Sequence, residues 1–199
     1  MKQAKTWASA GLFFLVTTVI CGVVYTVAVT GIAQALFPYQ ANGSIIEVDG
    51  TKYGSELVGQ QFTDEGHMWG RVMSPSTGTF TNDAGEDVLW YGPSNLSPAG
   101  DEFAEAVQER IDRIRAAHPE KGECAIPSDL VTNSGSGFDP HISPAAAEYQ
   151  VDRLAKNTGK SAAEIREIIE ACTEQSQFGI LGEPRVNVLK VNLMLDGIL

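Results

Sequence analysis

Between Lys5 and Glu47 the chain carries no charged residue, and from about Ala8 to Leu36 it is a near-continuous run of Leu, Phe, Val, Ile, Ala, Gly and Thr. A hydrocarbon core of roughly 30 Å is crossed by about 20 helical residues, so this segment is long enough to span with tilt or to extend past the surface. Each Leu, Ile, Val or Phe favours insertion by roughly 0.3–0.6 kcal/mol, and no buried charge opposes them. A cleaved secretory signal is the competing reading, with Lys2 and Lys5 as its positive start and Ala33-Gln34-Ala35 as a small-x-small cleavage site. Length favours a retained anchor, because a cleaved signal has an apolar region of only about 7–15 residues. Release after Ala35 would leave a mature form lacking this helix.

Lys2 and Lys5 precede the span and the first charges after it are Glu47 and Asp49. The bias of Lys and Arg towards the cytoplasmic side therefore predicts a short cytoplasmic segment (1–7), a transmembrane anchor (8–36) and an extracytoplasmic domain (37–199) in the cell membrane. Within the span, Thr18, Gly22, Thr26 and Thr30 recur four apart, a stripe of small residues suited to close helix packing in lipid.

The exported part has the size of one ordinary domain. A formal net charge of −11 for the whole chain, with two of its lysines ahead of the span, leaves that domain strongly acidic and argues against nucleic acid as a partner. Cys21 falls in the span. Cys124 and Cys172 fall outside it, where a disulfide and two free thiols are both compatible with the sequence.

An α+β domain is expected, with about three to four helices and a few short strands. Asp49-Gly50 between short apolar stretches predicts a hairpin within 45–62. The region 63–93 is rich in Gly, Ser, Thr, Asp and Asn, with isolated Trp69, Phe80, Trp90 and Tyr91, and reads as irregular. Ser97-Pro98 predicts a helix start, with Phe103, Val107, Ile111 and Ile114 as its inner face and His118-Pro119 as its stop. A second helix is predicted from Ser143-Pro144 to Gly159, with Ala147, Val151 and Leu154 facing inward. Ser161-Ala162-Ala163-Glu164 forms a capping box ahead of Ile165, Ile168, Ile169 and Cys172. Val186 to Leu195 fits a strand or a helix, and a short helix with Asn187 near its start and Gly197 at its end is favoured.

Catalytic patterns are scarce. Ser134, Ser136, Asp139 and His141 gather a nucleophile, a carboxylate and a base in Asn133-Ser134-Gly135-Ser136-Gly137-Phe138-Asp139-Pro140-His141. The nucleophile-elbow and phosphate-loop spacings are both missing, and Ser, Gly, Asp and Pro are what a tight turn before a helix uses. A structural turn is the preferred reading. An anchored enzyme or ligand-binding module using Ser136, Asp139 and His141 is the alternative. His67, His118 and His141 are too scattered for a metal motif.

The same turn carries a family resemblance. Asp129-Leu130-Val131-Thr132, then Ser134 to Ala146 including Gly137, Pro140, Ser143 and Pro144, then Gln150-Val151 and Arg153, resemble the C subunit of the Kdp potassium-transporting ATPase. Matching blocks extend through Phe37-Pro38, Gln40 to Ser44, Gly54-Ser55, Gly59-Gln60, Gly70-Arg71, Ser94-Asn95-Leu96, Gly182-Glu183-Pro184 and Val186-Asn187-Val188. Val72-Met73 and Gly92-Pro93 depart from the family pattern. The resemblance implies a non-catalytic accessory subunit of a prokaryotic potassium-uptake complex, partnered by a channel-like potassium-binding subunit and a P-type ATPase subunit. It also implies roles in assembly and as a catalytic chaperone that raises the ATP affinity of the ATPase subunit. ATP and potassium would be handled by the complex, with no cofactor bound by this chain alone. The topology reading places the domain across the bilayer from ATP, so an effect on nucleotide use is expected through the partners' helices.

Overall fold

The computed structural model describes residues 2–73, 75–76, 85 and 90–199, so the expectation for Phe80 lies outside the described residues. The chain divides into two compact units, Met1–Ile45 and Ile46–Leu199.

The first unit is a continuous helix over Gln3–Leu36, none of it buried, with a mean hydropathy that suits a membrane span. It consists of α1 (Lys2–Thr18), a π-helical stretch (Val19–Tyr25) and α2 (Thr26–Leu36). Thirty-four residues give a rod of about 50 Å. Phe37 leaves the helical conformation, and Pro38 opens the short α3 (Pro38–Ala41). Asn42 then donates to the Gln34 side chain at 3.1 Å and to Pro38 O at 2.6 Å, and Gly43 takes φ 90°, so Asn42-Gly43-Ser44 closes the apolar segment through specific bonds.

In the second unit, β1 (Ile45–Val48) and β2 (Thr51–Ser55) form the expected hairpin. Its turn residues Asp49 and Gly50 have φ 51° and 78°, the left-handed pair of a type I′ turn whose twist matches the flanking strands. Two further two-residue strands, β3 (Pro75–Ser76) and β4 (Trp90–Tyr91), pair antiparallel.

Helix α4 (Asp101–Ala117) begins later than Ser97-Pro98 suggests. Ser97 O accepts from Gly100 N at 2.9 Å, so Pro98 occupies a turn, and Gly100 in extended conformation becomes the N-cap. Asp101 and Glu102 then fill the first helical turn, where negative charge is favourable.

The helix expected from Ser143 to Gly159 is two helices, α5 (Pro144–Tyr149) and α6 (Val151–Thr158). Ser143 caps the first as expected, accepting from Ala146 N, and Gly159 ends the second at φ 73°. The break falls at Gln150, whose N–H turns to Ala147 O, three residues back, while its side chain is drawn into the core.

The complete capping box of Ser161 and Glu164 opens α7 (Ala162–Ala171). The ambiguous end of the chain resolves into both elements. Val186 lies in β7 (Arg185–Asn187), and Asn187 caps α8 (Val188–Leu195) by accepting from Lys190 N, with Gly197 at φ 71° beyond. Strand β7 is the centre of an antiparallel sheet between β5 (His141–Ile142) and β6 (Thr173–Glu174), in register His141↔Asn187 and Thr173↔Val186.

The result is an α+β unit with five α-helices among the described residues, one more than expected because of the break at Gln150. Its main core joins Ile114, Ala147, Val151, Leu154, Ile165, Val186, Val188 and Val191, and Val107 and Ile111 pack against it as the helical spacing predicts. Cys124 is an exposed free thiol, and Cys172 a buried one whose Sγ lies 3.4 Å from Met194 Sδ. Burial pushes the Cys172 thiol up to about 11, so it packs as a small apolar group.

Met68 and Trp69 are pinned from a distance. Asn192 on α8 accepts from Met68 N at 2.7 Å and donates to Met68 O at 3.0 Å. Gln150 does the same for Trp69, at 2.8 and 3.0 Å. Two side-chain amides thus replace the strand partner that residues 68 and 69 lack, satisfying backbone groups that would otherwise be buried unpaired.

Candidate functional site

Two places bear the sequence-derived candidates. The first is the helix stripe. Four-residue steps in a regular α-helix drift by about 40° each, which would spread Thr18 to Thr30 over about 120°. The π-helical stretch holds more residues per turn and reverses that drift over Val19–Tyr25, gathering Thr18, Gly22, Thr26 and Thr30 nearer to one line. A Cβ added at Gly22 would meet nothing within 4 Å. Thr18 Oγ1 donates to Phe14 O at 2.8 Å and Thr26 Oγ1 to Cys21 O at 3.4 Å. Those two hydroxyls are satisfied inside the helix, so what the stripe offers a neighbour is a smooth surface more than hydrogen-bond donors.

The second place is the turn from Ser134 to Pro144. Ser134 Oγ accepts from Gly137 N at 2.8 Å and lies 3.2 Å from Ser136 Oγ, which receives Phe138 N at 3.4 Å. Among the described residues neither serine hydroxyl contacts an imidazole nitrogen, so the catalytic arrangement that sequence proximity suggests is not assembled. Gly137 sits at φ 81°, and a Cβ there would fall 2.2 Å from the carbonyl carbon of Gly92. Only glycine lets the two backbones approach this closely. Gly59 is similar: its N–H bonds Phe138 O at 2.8 Å, and a Cβ would lie 2.7 Å from Asp139 O.

Asp139 and His141 work as a local pair. Asp139 Oδ1 accepts from His141 N at 3.0 Å and lies 3.6 Å from His141 Nδ1, while Arg71 Nη1 stands 3.9 Å from Oδ2. Burial acts to raise the Asp139 carboxyl, but the His141 side-chain and backbone hydrogen bonds, with Arg71, hold it below its ordinary value. On the other side of the ring, His141 Nε2 lies 3.7 Å from Glu174 Oε1 and 3.5 Å from Asn187 Nδ2. Pro140 O accepts from Val188 N at 3.0 Å, joining the turn to the start of α8. Ser143 N donates to Asp129 Oδ2 at 2.6 Å and its hydroxyl to Oδ1 at 3.3 Å. Pro144 then occupies the first position of α5, where no N–H is needed.

An open groove of about 460 Å³ runs beside this turn, with Arg71, Asp129, Asp139, His141 and Arg185 on its walls. Two ion pairs lie along it, a long one between Arg71 and Asp139 at 3.9 Å and a close one between Arg185 and Glu174 at 2.6 Å. Among the described residues no group of three His, Cys, Asp or Glu is placed to hold a metal ion.

Sequence reasoning singled out the turn but not its external braces. Asp129 lies in the block that leads into the turn, and Gly59 and Arg71 lie in separate blocks of the same resemblance, Gly59-Gln60 and Gly70-Arg71, which was the available signal. Glu174 and Gly92 had none, because their role arises only from tertiary contact. The buried pair His118 and Arg153 was likewise missed. Arg153 Nε donates to His118 Nε2 at 3.0 Å, its Nη2 to Gln150 Oε1 at 2.6 Å, and its guanidinium lies 4.3 Å from the Trp69 ring centroid. Burial pulls Arg153 down to about 10, still protonated at neutral pH.

One apolar helix compatible with a membrane anchor, joined to a small acidic α+β domain whose densest motif braces the fold, defines a class of small single-helix protein. The chain belongs to the family of K+-transporting ATPase c chains, KdpC, whose model matches residues 7–197. It is 54% identical over 200 residues to the potassium-transporting ATPase KdpC subunit of Clostridium botulinum (strain Eklund 17B / Type B), covering 100% of both chains. It is 55% identical to that of Clostridium perfringens over 188 residues, 94% of this chain and 95% of the relative. It is 49% identical to that of Polaromonas naphthalenivorans over 187 residues, 94% and 92% of the two chains.

Proposed function

We propose that this chain is the assembly-promoting accessory subunit of an ATP-driven potassium-uptake complex, held in the cell membrane by its first helix with the domain outside. The observation that carries this reading is the family match over 7–197, which takes in both the apolar helix and the braced turn. The potassium-binding channel-like subunit and the P-type ATPase subunit are its partners. The helix packs against the former through Thr18, Gly22, Thr26 and Thr30, and the acidic domain caps it near the ion entrance. Chemistry belongs to the partners, and this chain contributes no catalytic residue, cofactor or metal.

Lys2 and Lys5 are the only charges ahead of the span, too few to grip a triphosphate. A chaperone effect that raises the ATP affinity of the ATPase subunit therefore passes through the packed helices. The turn of Ser134, Ser136, Gly137, Asp139, Pro140, His141, Ser143 and Pro144 holds the domain in the shape its partner meets.

Co-expression of the three subunits, with pull-down and potassium-stimulated ATPase assay with and without this chain, tests the proposal. Loss of complex and a raised KM for ATP without the chain are expected. Full assembly and unchanged ATP dependence without it would overturn the proposal. Protease added to intact cells should digest the domain, and protection there would overturn the topology.

A further inference from the structure

A second cavity, of about 80 Å³, lies between the loop at Gly70–Met73 and the inner face of α4, and three arginines line it: Arg71, Arg110 and Arg113. The chain has 14 Lys and Arg against 25 Asp and Glu, yet no described carboxylate lines this space. Its floor is apolar, formed by Phe62, Trp69 and Leu130.

Each guanidinium has a fixed contact elsewhere in the domain. Arg71 Nη2 donates to Asn133 O at 3.2 Å, Arg110 Nη1 donates to Val131 O at 3.1 Å, and Arg113 stands 4.8 Å from the Trp69 ring centroid. Arg110 and Arg113 are three residues apart on α4 and so share a face. These fixings leave donors over. Arg71 Nε is buried without a hydrogen-bond partner. Asp139 reaches Arg71 at 3.9 Å from the neighbouring groove and is already tied to His141. Burial lowers the Arg110 guanidinium, opposed by Glu109, which marks a cation whose hydration is incompletely replaced.

Three cationic residues line one small space, and the unmet Arg71 Nε donor is costly to bury. An anion with planar or tetrahedral oxygens suits both, because guanidinium groups present parallel N–H pairs to carboxylate and phosphate. The size narrows the ligand: the cavity holds an oxyanion head but is far below the several hundred Å³ typical of a whole small-molecule site. The geometry points to this cavity as a binding site for a small oxyanion group, a carboxylate or phosphate, clamped by Arg71, Arg110 and Arg113. Two sources supply that chemistry: a free ion, or an acidic side chain of a neighbouring polypeptide. The site is independent of the transport reading, since it exists in this chain alone.

The test uses the full chain in detergent, with inorganic phosphate or acetate exchanged for chloride at constant ionic strength. Tm should rise by about 3–5 °C at tenfold excess over Kd. The Arg71 Nε–H proton resonance should move downfield as that donor gains an acceptor. Both effects should vanish in Arg110→Gln with Arg113→Gln and persist in Arg166→Gln, whose side chain is exposed and paired with Glu148. If the double variant does not fold, Arg113→Gln alone removes an exposed side chain and should weaken phosphate binding several-fold. Equal Tm in chloride and phosphate with an unmoved Arg71 resonance overturns the proposal, as does an equal response in the arginine variants. The assembled complex then separates the sources. A phosphate response that persists there indicates a free ion. A response that is lost, with recovery of the complex reduced by Arg113→Gln, indicates a partner's carboxylate.

Discussion

The helix of Gln3–Leu36 and the loop around Met68 and Trp69 solve the same problem, pairing backbone groups, by opposite means. The helix closes every bond within itself, so its side chains are free to be apolar and its neighbours are irrelevant to its folding. The loop closes its bonds only through Gln150 and Asn192, which lie 81 and 124 residues away in sequence. The first is robust to substitution and open to partners. The second fails if any distant brace is removed.

The sharpest way to break that contrast is Gly137→Ala. With φ 81° and a Cβ 2.2 Å from Gly92 C, the substitution forces two backbone segments apart, and urea denaturation should show a loss of at least about 3 kcal/mol. Gln150→Leu comes next. It leaves Trp69 N–H and C=O unpaired and strips a partner from Arg153, so a loss of about 2–4 kcal/mol is expected by the same measurement. Ser143→Ala removes the cap of α5 and one of the two bonds to Asp129, for about 1–2 kcal/mol.

A gentler probe is acid. His118 is 1% exposed, with Nδ1 bonded to Ile114 O at 2.8 Å and Nε2 accepting from Arg153, so the folded state holds it neutral. Burial lowers its pKa, the Ile114 bond opposes that, and Arg153 lowers it further, with Glu120 and Lys121 also in range. The unfolded chain then binds the proton first as pH falls, so the stability His118 contributes is whole above its unfolded pKa of about 6.5 and declines below it. Urea midpoints taken from neutral pH down to about 5 should fall, and His118→Gln should flatten the slope over that window.

The smallest effect on folding is expected in the first unit. Gly22→Leu meets open space, so unfolding of the domain should stay within about 0.5 kcal/mol of the parent, while recovery of the membrane complex drops. A stability change as large as that of Gln150→Leu would dissolve the distinction between the two regions.

Local signals were read well where the chain bonds to itself. Asp49-Gly50 forms its hairpin turn, Ser161-Ala162-Ala163-Glu164 forms its capping box, and Asn187 with Gly197 brackets α8. They misled where another bond competes, a local one at Ser97 and a distant one at Gln150. Ser97-Pro98 looks like a helix start, but the Gly100 N–H to Ser97 O bond makes it a turn. Gln150 looks helical, and its side chain instead serves Trp69 and interrupts the helix. At the candidate site the motif was legible as a tight turn, while Gly92 and Glu174, which pack against it, became visible only in three dimensions.

What the sequence determined by itself is everything set by short-range bonding and by solvent preference. That includes the apolar helix, the caps, the hairpin and the acidic character of the domain, because hydrogen bonds within a turn and transfer out of water need no knowledge of the rest of the fold. Only the tertiary structure decided how the irregular segment is pinned, why Gly137 tolerates no side chain, and that three arginines in an acidic chain converge on one cavity. Those outcomes depend on residues far apart in the chain meeting at bonding distance, and spacing along the sequence does not encode that distance.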